Sequence, residues 1–421
     1  MTDTFTPASL APSAAEKFRT RVLPFLAMAA ILALIPALGP SRSLLTLFNA
    51  IGINIVFALS YNMLLGRAGL LSFGHAVYFG LGGYAAMHVM QAVDDGNGLW
   101  AHFPMVALPL VGFAGGLLAA AVIGWPSCKR AGIPFAMISL GIAELIASAG
   151  FMFVSLFGGE EGISGDRTYG PLLFGFDLGP IGNVYWFIAF WTLLATVAMF
   201  AFTRTPLGKI GEAVRDNPQR VEFVGYDPQR VRYLIFMAAG GFAGLAGGMA
   251  AVTYEIFTPE SLSLLPSGFV LLMAYVGGIR FFAGPILGAV ALTYMQSNLS
   301  DFSAAWQLYL GLLFVSIVLF APAGLAGIFG AIWTGMRSPG AGARLLGWLK
   351  VTVAALLAAA GLVIVIEVVT RITDGYGEVF TPFGQPLPPD SALTWGLAAV
   401  LLVAGLGLLR LWLPGKREGR R

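Results

Sequence analysis

A single cysteine, Cys128, excludes an internal disulfide anywhere in the 421 residues. Charge is scarce too: 11% of residues carry it, against about 25% in an ordinary soluble domain. No Gly-x-x-x-x-Gly-Lys-Ser/Thr occurs, since Gly208-Lys209 runs into Ile210 and Gly415-Lys416 into Arg417, so the chain has no P-loop of its own for ATP. His-Glu-x-x-His and Gly-x-Ser-x-Gly are missing as well, which removes the common intramembrane protease and hydrolase chemistries and leaves no reactive constellation for an enzyme. The ten-residue apolar/polar alternation of an outer-membrane barrel is also missing. The net charge of +3 reflects loops and does not mark nucleic-acid binding.

What fills the chain is apolar. Hydrophobic residues make up 57% of it and the mean hydropathy is +0.82. Runs near the length that a helix needs to cross a bilayer recur throughout, and in lipid a helix satisfies its own backbone. The expected fold is all-α: a polytopic helical membrane protein with about ten core transmembrane helices plus two C-terminal ones. The expected spans are 22–38, 44–65, 71–90, 104–124, 133–157, 184–203, 233–253, 265–279, 282–297, 305–320, 350–369 and 392–412. The 55 glycines, as at Gly112, Gly115, Gly116 and at Gly240, Gly241, Gly244, Gly247, Gly248, sit at one-turn spacing and read as helix-packing seams.

Basic loops set the orientation. Lys17, Arg19 and Arg21 precede the first span, Lys129 and Arg130 follow the fourth, and Lys416, Arg417, Arg420 and Arg421 close the chain. Asp94, Asp95, Glu160, Glu161, Asp166 and Asp177 fall in the intervening loops. Positive-inside counting puts both termini, 125–132 and 204–232 in the cytoplasm, with an uncleaved first span. The organisation expected is a cytoplasmic segment 1–21, a core 22–336 and an extension 337–421 holding the last two spans. The short turns at Gly66–Leu70 and Arg280–Ala283 leave open whether their flanks are full spans or re-entrant half-helices.

One stretch breaks the oil. Residues 204–232 carry Arg204, Lys209, Arg215, Arg220, Arg230 and Arg232 with Glu212, Asp216, Glu222 and Asp227. Asn217-Pro218 and Asp227-Pro228 each pair an N-cap residue with proline at the first helical position, and Gly225 is a left-handed stop between them. Short helices are therefore expected near 208–216 and 218–224, then a long one from 228 into the membrane. A folded polar segment between two spans reads as a docking surface for a soluble partner; the plainer reading is a solvated loop of salt-bridged arginines.

The run RTPLGKIGEAVRDNPQRVEFVGYDPQRVRYLIFMAAGGFAGLAGG resembles the cytoplasmic loop and following helix of permeases in ABC importers for branched-chain amino acids and urea. NMLLGRAGLLSFGHAVYFGLGGYAAM, Ile138-Ser139-Leu140-Gly141-Ile142-Ala143-Glu144, Ser267-Gly268 with Met273 and Gly277-Gly278, Gly284-Pro285-Ile286-Leu287-Gly288-Ala289 and APAGLAGIF are similar to the same family, over about 40–330. The chain departs from that pattern at Phe157-Gly158-Gly159, where a Thr-Gly-Gly is usual. It departs again at Arg280-Phe281-Phe282, where a glycine and small polar residues are usual. The resemblance implies two ATP-binding partner subunits carrying the ATP, a second related permease chain and a periplasmic solute-binding protein, with no cofactor and no metal in this chain. It also implies coupling to the ATPases through Gly208, Arg215, Asp216, Asn217 and Gly225, and a substrate pathway near Ser72, Gly74, His75 and Glu144.

The polar residues in the spans carry two readings each. An ionised Glu144 at mid-helix costs about 2.5–3.5 kcal/mol on insertion scales; it either lines the path or anchors neighbouring helices, with Ser139 and Ser148 at hand. His75, set among glycines, is either a packing residue or part of a gate, and no second ligand stands at metal spacing. His88 and His102 read as interface or loop residues, and Asn49, Asn54, Ser60 and Asn62 as helix glue. The rival class is an ion-coupled carrier or channel that uses Glu144. The solute is left open among branched-chain amino acids, urea, amides and aromatic acids.

Overall fold

The computed structural model describes residues 22–96, 102–171, 175–303, 305–336, 341–373 and 391–412. The basic run ending at Arg21 and the tail from Lys416, on which the placement of the termini rests, lie outside them, as does most of the 371–391 loop. The described residues are helical almost throughout, with one antiparallel bridge, β1 (Ile163–Ser164) on β2 (Ile256–Phe257). They form two compact units, one through Tyr294 and one from Met295.

The first unit runs α1 (Leu23–Ala37), α2 (Arg42–Asn62), α3 (His75–Asp94), α4 (Leu108–Ser127), α5 (Ile133–Met152), α6 (Ile181–Arg204), α7 (Pro206–Asp216), α8 (Pro218–Phe223), α9 (Pro228–Tyr254), α10 (Leu264–Gly277) and α11 (Gly284–Phe302), the last reaching into the second unit. Helix α9 is its axis, packed against α4, α3 and α2. Glycines explain how closely it sits. A Cβ on Gly244 would enter the Gly112 carbonyl and the Gly116 backbone, and one on Gly240 would strike Ala120. Gly82 of α3 meets the same seam at Gly244. Without side chains between them the backbones approach to dispersion contact, the association that small residues permit in lipid.

Among the described residues, seven helices are long and apolar enough to cross a membrane, or eight if the bent pair α12 (Trp306–Phe320) and α13 (Gly324–Met336), broken by 51°, counts as one span. The apolar runs suggest twelve full spans, and the difference has physical causes. Helix α1 is 15 residues and α10 is 14, about 22 and 21 Å at 1.5 Å per residue, short of an apolar layer near 30 Å. Left-handed or strained glycines stop both, Gly39 (φ +64°) after α1 and Gly278 (φ +108°) after α10. Helix α3 has the length but is rich in glycine and polar residues; other helices cover it, so it need not satisfy lipid alone. Helix α13, which extends from the APAGLAGIF run to Met336, has no counterpart among the expected spans.

In the second unit α14 (Ala341–Thr373) and α15 (Ala392–Trp412) pack along each other. Gly361 lies against the Ala398–Leu402 backbone and Gly405 against Ala358. Ile364, Val368 and Ala398 form a small core. Buried Glu367 accepts the Tyr309 hydroxyl at 2.7 Å and pairs with Arg371 at 3.8 Å.

Candidate functional site

The segment between α2 and α3 is a break inside the bundle and not a simple turn. Helix α2 loosens into a π-turn at Met63–Arg67, Gly69 takes φ +68°, and the chain runs without helix until His75 opens α3. Ser72 and His75 are fully buried there. The first N–H groups of a helix have no partners within it, and here serines from three elements accept the N–H groups at the start of α3 and just before it. Ser139 of α5 accepts the Phe73 N–H at 3.1 Å, Ser267 of α10 accepts the Ala76 N–H at 3.0 Å, and Ser72 accepts the Gly74 N–H at 3.3 Å. The Tyr61 hydroxyl donates to the Ser72 carbonyl at 3.0 Å. Gly74 must be glycine, since a Cβ would meet the Ser139 carbonyl. The break is thus tied into α2, α5 and α10 together.

His75 Nε2 lies 2.9 Å from Ser60 Oγ, and Ser60 donates its one proton to the Phe57 carbonyl at 2.7 Å. The hydroxyl can therefore only accept from the imidazole, which places a proton on Nε2. Nδ1 is buried with no hydrogen-bond partner among the described residues. Phe57 stacks on the ring at 5.6 Å, and Tyr61 and Tyr78 meet it edge-on at 5.2 and 6.0 Å.

Glu144 stands apart from this cluster. It is exposed on α5, on the face that also carries exposed Met137, Gly141, Leu145, Ser148 and Met152. Ser139, expected beside it, faces the other way and caps Phe73.

The polar segment folds as its caps require. Thr205 accepts the Gly208 N–H at 3.3 Å ahead of Pro206, Asn217 accepts that of Arg220 at 3.0 Å ahead of Pro218, and Asp227 accepts that of Gln229 at 2.9 Å ahead of Pro228. Gly225 takes φ +94°. Of these caps, only Thr205 goes beyond what the sequence pattern predicts. Gly208, Gly211 and Val214 form the buried stripe of α7; Gly208 lies against the Phe202–Thr203 backbone and Gly211 against Ile235.

This stripe sets α7 on the π-turn. The Arg215 guanidinium donates to the Gly66 carbonyl and, through Nε and Nη2, to Asp216 Oδ1 at 3.0 and 2.9 Å. Arg67 pairs with Glu212, which also holds Lys209 at 3.0 Å. A Cβ on Gly69 would strike the Arg215 side chain. Of the expected coupling residues, Arg215 meets the break that holds Ser72, Gly74 and His75; Asp216 holds that arginine, Gly208 seats α7 on the end of α6, and Asn217 and Gly225 shape the next helix.

The outward side of the segment carries residues that sequence reasoning missed. Phe223 is 91% exposed and Val224 71%, with Tyr226 beside them. A cleft of about 390 Å³ opens next to them between Ile210, Ala213, Asn217, Val221 and Tyr226. A signal exists in the sequence: Val221, Phe223, Val224 and Tyr226 are apolar residues in a loop that is otherwise charged.

At the other end of α9, Arg167 donates to the carbonyls of Leu178, Val252 and Thr253 at 2.9, 3.3 and 3.2 Å and pairs with Glu255 at 3.4 Å. It straps the loop before α6 to the C-terminus of α9, where a cation is favoured by the helix dipole. Nearby, hydrogen bonds from the Thr168 hydroxyl and amide hold the Asp166 carboxyl below its usual range.

The sequence model described as "Branched-chain amino acid transport system / permease component" matches residues 43–321. The chain belongs to this permease family. The chain is similar to the high-affinity branched-chain amino acid transport system permease protein LivM of Salmonella typhimurium, 28% identical over 296 residues, which cover 65% of this chain and 67% of that protein. LivM of Escherichia coli is 27% identical over 311 residues, 68% and 70% of the two chains. LivH of E. coli is 22% identical over 303 residues, 67% of this chain and 94% of that one. No solved structure matches the chain. As a permease-family member the chain is a multi-pass membrane transport subunit. The match ends at residue 321, so α13, α14 and α15 lie beyond it.

Proposed function

We propose that this permease moves branched-chain amino acids, or a similar small solute, inward across a bacterial inner membrane on ATP hydrolysed by two partner subunits. The observation that carries the reading is the seat of the α7–α8 segment: α7 locks onto the broken α2–α3 segment through Arg215 and Gly66, while the end of α8 and the turn after it expose Phe223, Val224 and Tyr226. Closure of the ATPases against α7 and α8 would then pull on the break, and a bistable packed element converts such a pull into a switch between outward- and inward-open states. Both termini lie in the cytoplasm in this reading, and a periplasmic binding protein delivers solute to the opposite face.

The pathway proposed runs past Ser72, Gly74 and His75 toward α5. Glu144 faces out of this chain, and an ionised carboxylate set against lipid costs about 2.5–3.5 kcal/mol, so the Glu144 face is assigned to the second, related permease chain. The relatives support the substrate class through their names, LivM and LivH being branched-chain amino acid permeases.

The test is reconstitution with the cognate ATPase, binding protein and second permease in liposomes. Uptake of labelled leucine should require ATP inside the ATPase-facing compartment and should fall sharply in His75→Ala. Uphill transport by the lone chain on an ion gradient would overturn the reading in favour of an ion-coupled carrier.

A further inference from the structure

A second cavity has nothing to do with the coupling helix. Between α1, α2, α6 and the start of α11 lies an apolar cleft of about 530 Å³, walled by Phe25, Ile31, Ile55, Phe200, Phe282 and Ile286. Along α1 it extends from Pro24 to Ile35, about 17 Å at 1.5 Å per residue. Its walls belong to helices of the apolar spans, so the space opens among groups that face acyl chains, and a long unbranched apolar ligand suits it.

One end of the cleft is different. Three rings close it: Phe25 meets Phe200 at 5.0 Å between centroids and Phe200 meets Phe282 at 5.1 Å. Arg204, one turn beyond Phe200, lies with its guanidinium 4.8 Å from that ring's centroid. Arg280, two residues before Phe282, is exposed at the same turn. Neither arginine has a carboxylate partner among the described residues. Arg204 opens the polar segment 204–232, so this end of the cleft lies at a membrane surface.

We propose that this cleft holds one anionic phospholipid, an acyl chain along α1 and the phosphate between Arg204 and Arg280. Charge complementarity selects the occupant. Two guanidiniums without a carboxylate partner among the described residues, at the lip of an apolar slot, suit a phosphate on an acyl chain, because planar donors bind phosphate oxygens in pairs. The bound lipid would mortar α1 to the bundle, and α1 has no buried residue of its own.

The experiment is native mass spectrometry of the full chain in mild detergent, titrated with phosphatidylglycerol and with phosphatidylcholine of the same acyl chains. One phosphatidylglycerol per chain should be retained, roughly tenfold more tightly than phosphatidylcholine. R204Q/R280Q should bring the two lipids to parity and R204K/R280K should restore most of the preference. Ala283→Phe, which fills the slot and leaves the arginines, should weaken both lipids. Phosphatidylglycerol with a photoreactive group at mid-chain should label residues 24–35 and 282–290. Equal retention of the two lipids by the parent chain would overturn the proposal. So would labelling elsewhere, or lipid binding that appears only after removal of residues 2–21 or only in the absence of a second copy, since the slot would then belong to another protein segment.

Discussion

Arg215 reaches across 149 residues of sequence to the carbonyl of Gly66, and joins the charged segment 204–232 to the point where α2 loses its helix. A charge-assisted hydrogen bond to a π-turn is a two-way mechanical link. Its carbonyl has been released from the regular i−4 ladder, and the arginine replaces the missing donor.

Arg215→Ala should therefore uncouple transport. With a charged hydrogen bond near 1.5–3 kcal/mol, ATP-driven uptake should fall about tenfold or more while ATP hydrolysis by the assembled complex persists. Lysine should rescue only partly, since its compact ammonium cannot reproduce the planar fork that gives Nη1 to Gly66 and Nε with Nη2 to Asp216. Undiminished uptake in the alanine variant would sink the coupling role.

Phe223→Asp tests the outward face. The residue is 91% exposed among the described residues, so expression and unfolding temperature should stay put. Co-purification with the ATPase subunit should drop by an order of magnitude, as truncating an aromatic anchor at an interface does. Retained co-purification would remove the apolar tip from the docking surface.

Gly244→Val should damage the central seam. Its Cβ would meet backbone at Gly112 and Gly116, which cannot rotate away, so α4 and α9 must part, at a cost of about 1–3 kcal/mol or more. Gly268→Ala, whose Cβ would meet open space, is the control and should change little. Thermal unfolding followed by tryptophan fluorescence compares them; equal midpoints would contradict the packing account.

Arg167→Met should cost roughly 2–4 kcal/mol. It leaves the carbonyls of Leu178, Val252 and Thr253 without a donor and Glu255 without its cation, in a site where the arginine side chain is 13% exposed. Denaturant unfolding reads the loss, and a shift under about 0.5 kcal/mol would show that the strap is ornamental.

Cys128 carries a pH signature. Burial pushes its thiol from 9.0 up to about 12, partly offset by Arg232 nearby. Because the folded value is raised, the contribution of the neutral thiol is fully present below about 9 and is lost as pH climbs toward 12. Maleimide labelling at pH 8 should be slow in the folded protein and fast once it is unfolded. Rapid labelling of the folded chain would refute the burial.

The caps are legible from the residues alone. Asn217-Pro218, Gly225 and Asp227-Pro228 specify their turns by local chemistry, and the helices start where those residues place them. Span lengths are less legible. The hydrophobic run cannot tell a helix that crosses from one that stops after 14 residues at a strained glycine, as α10 does at Gly278. Ser139 illustrates the other limit. It lies about one and a half turns before Glu144 on the same helix, yet rotation about the helix axis sends the serine inward and the carboxylate out.

Sequence by itself determined that this chain is a helical membrane permease with no P-loop motif. Those properties depend on composition, on local capping and on motifs whose residues are contiguous. Tertiary structure alone decided that Arg215 rests on Gly66, that serines of three elements cap one buried break, and that Glu144 looks away from it. Such pairings join residues far apart in the chain, and close helix packing, set by which glycines face which backbones, is what brings them within hydrogen-bonding reach.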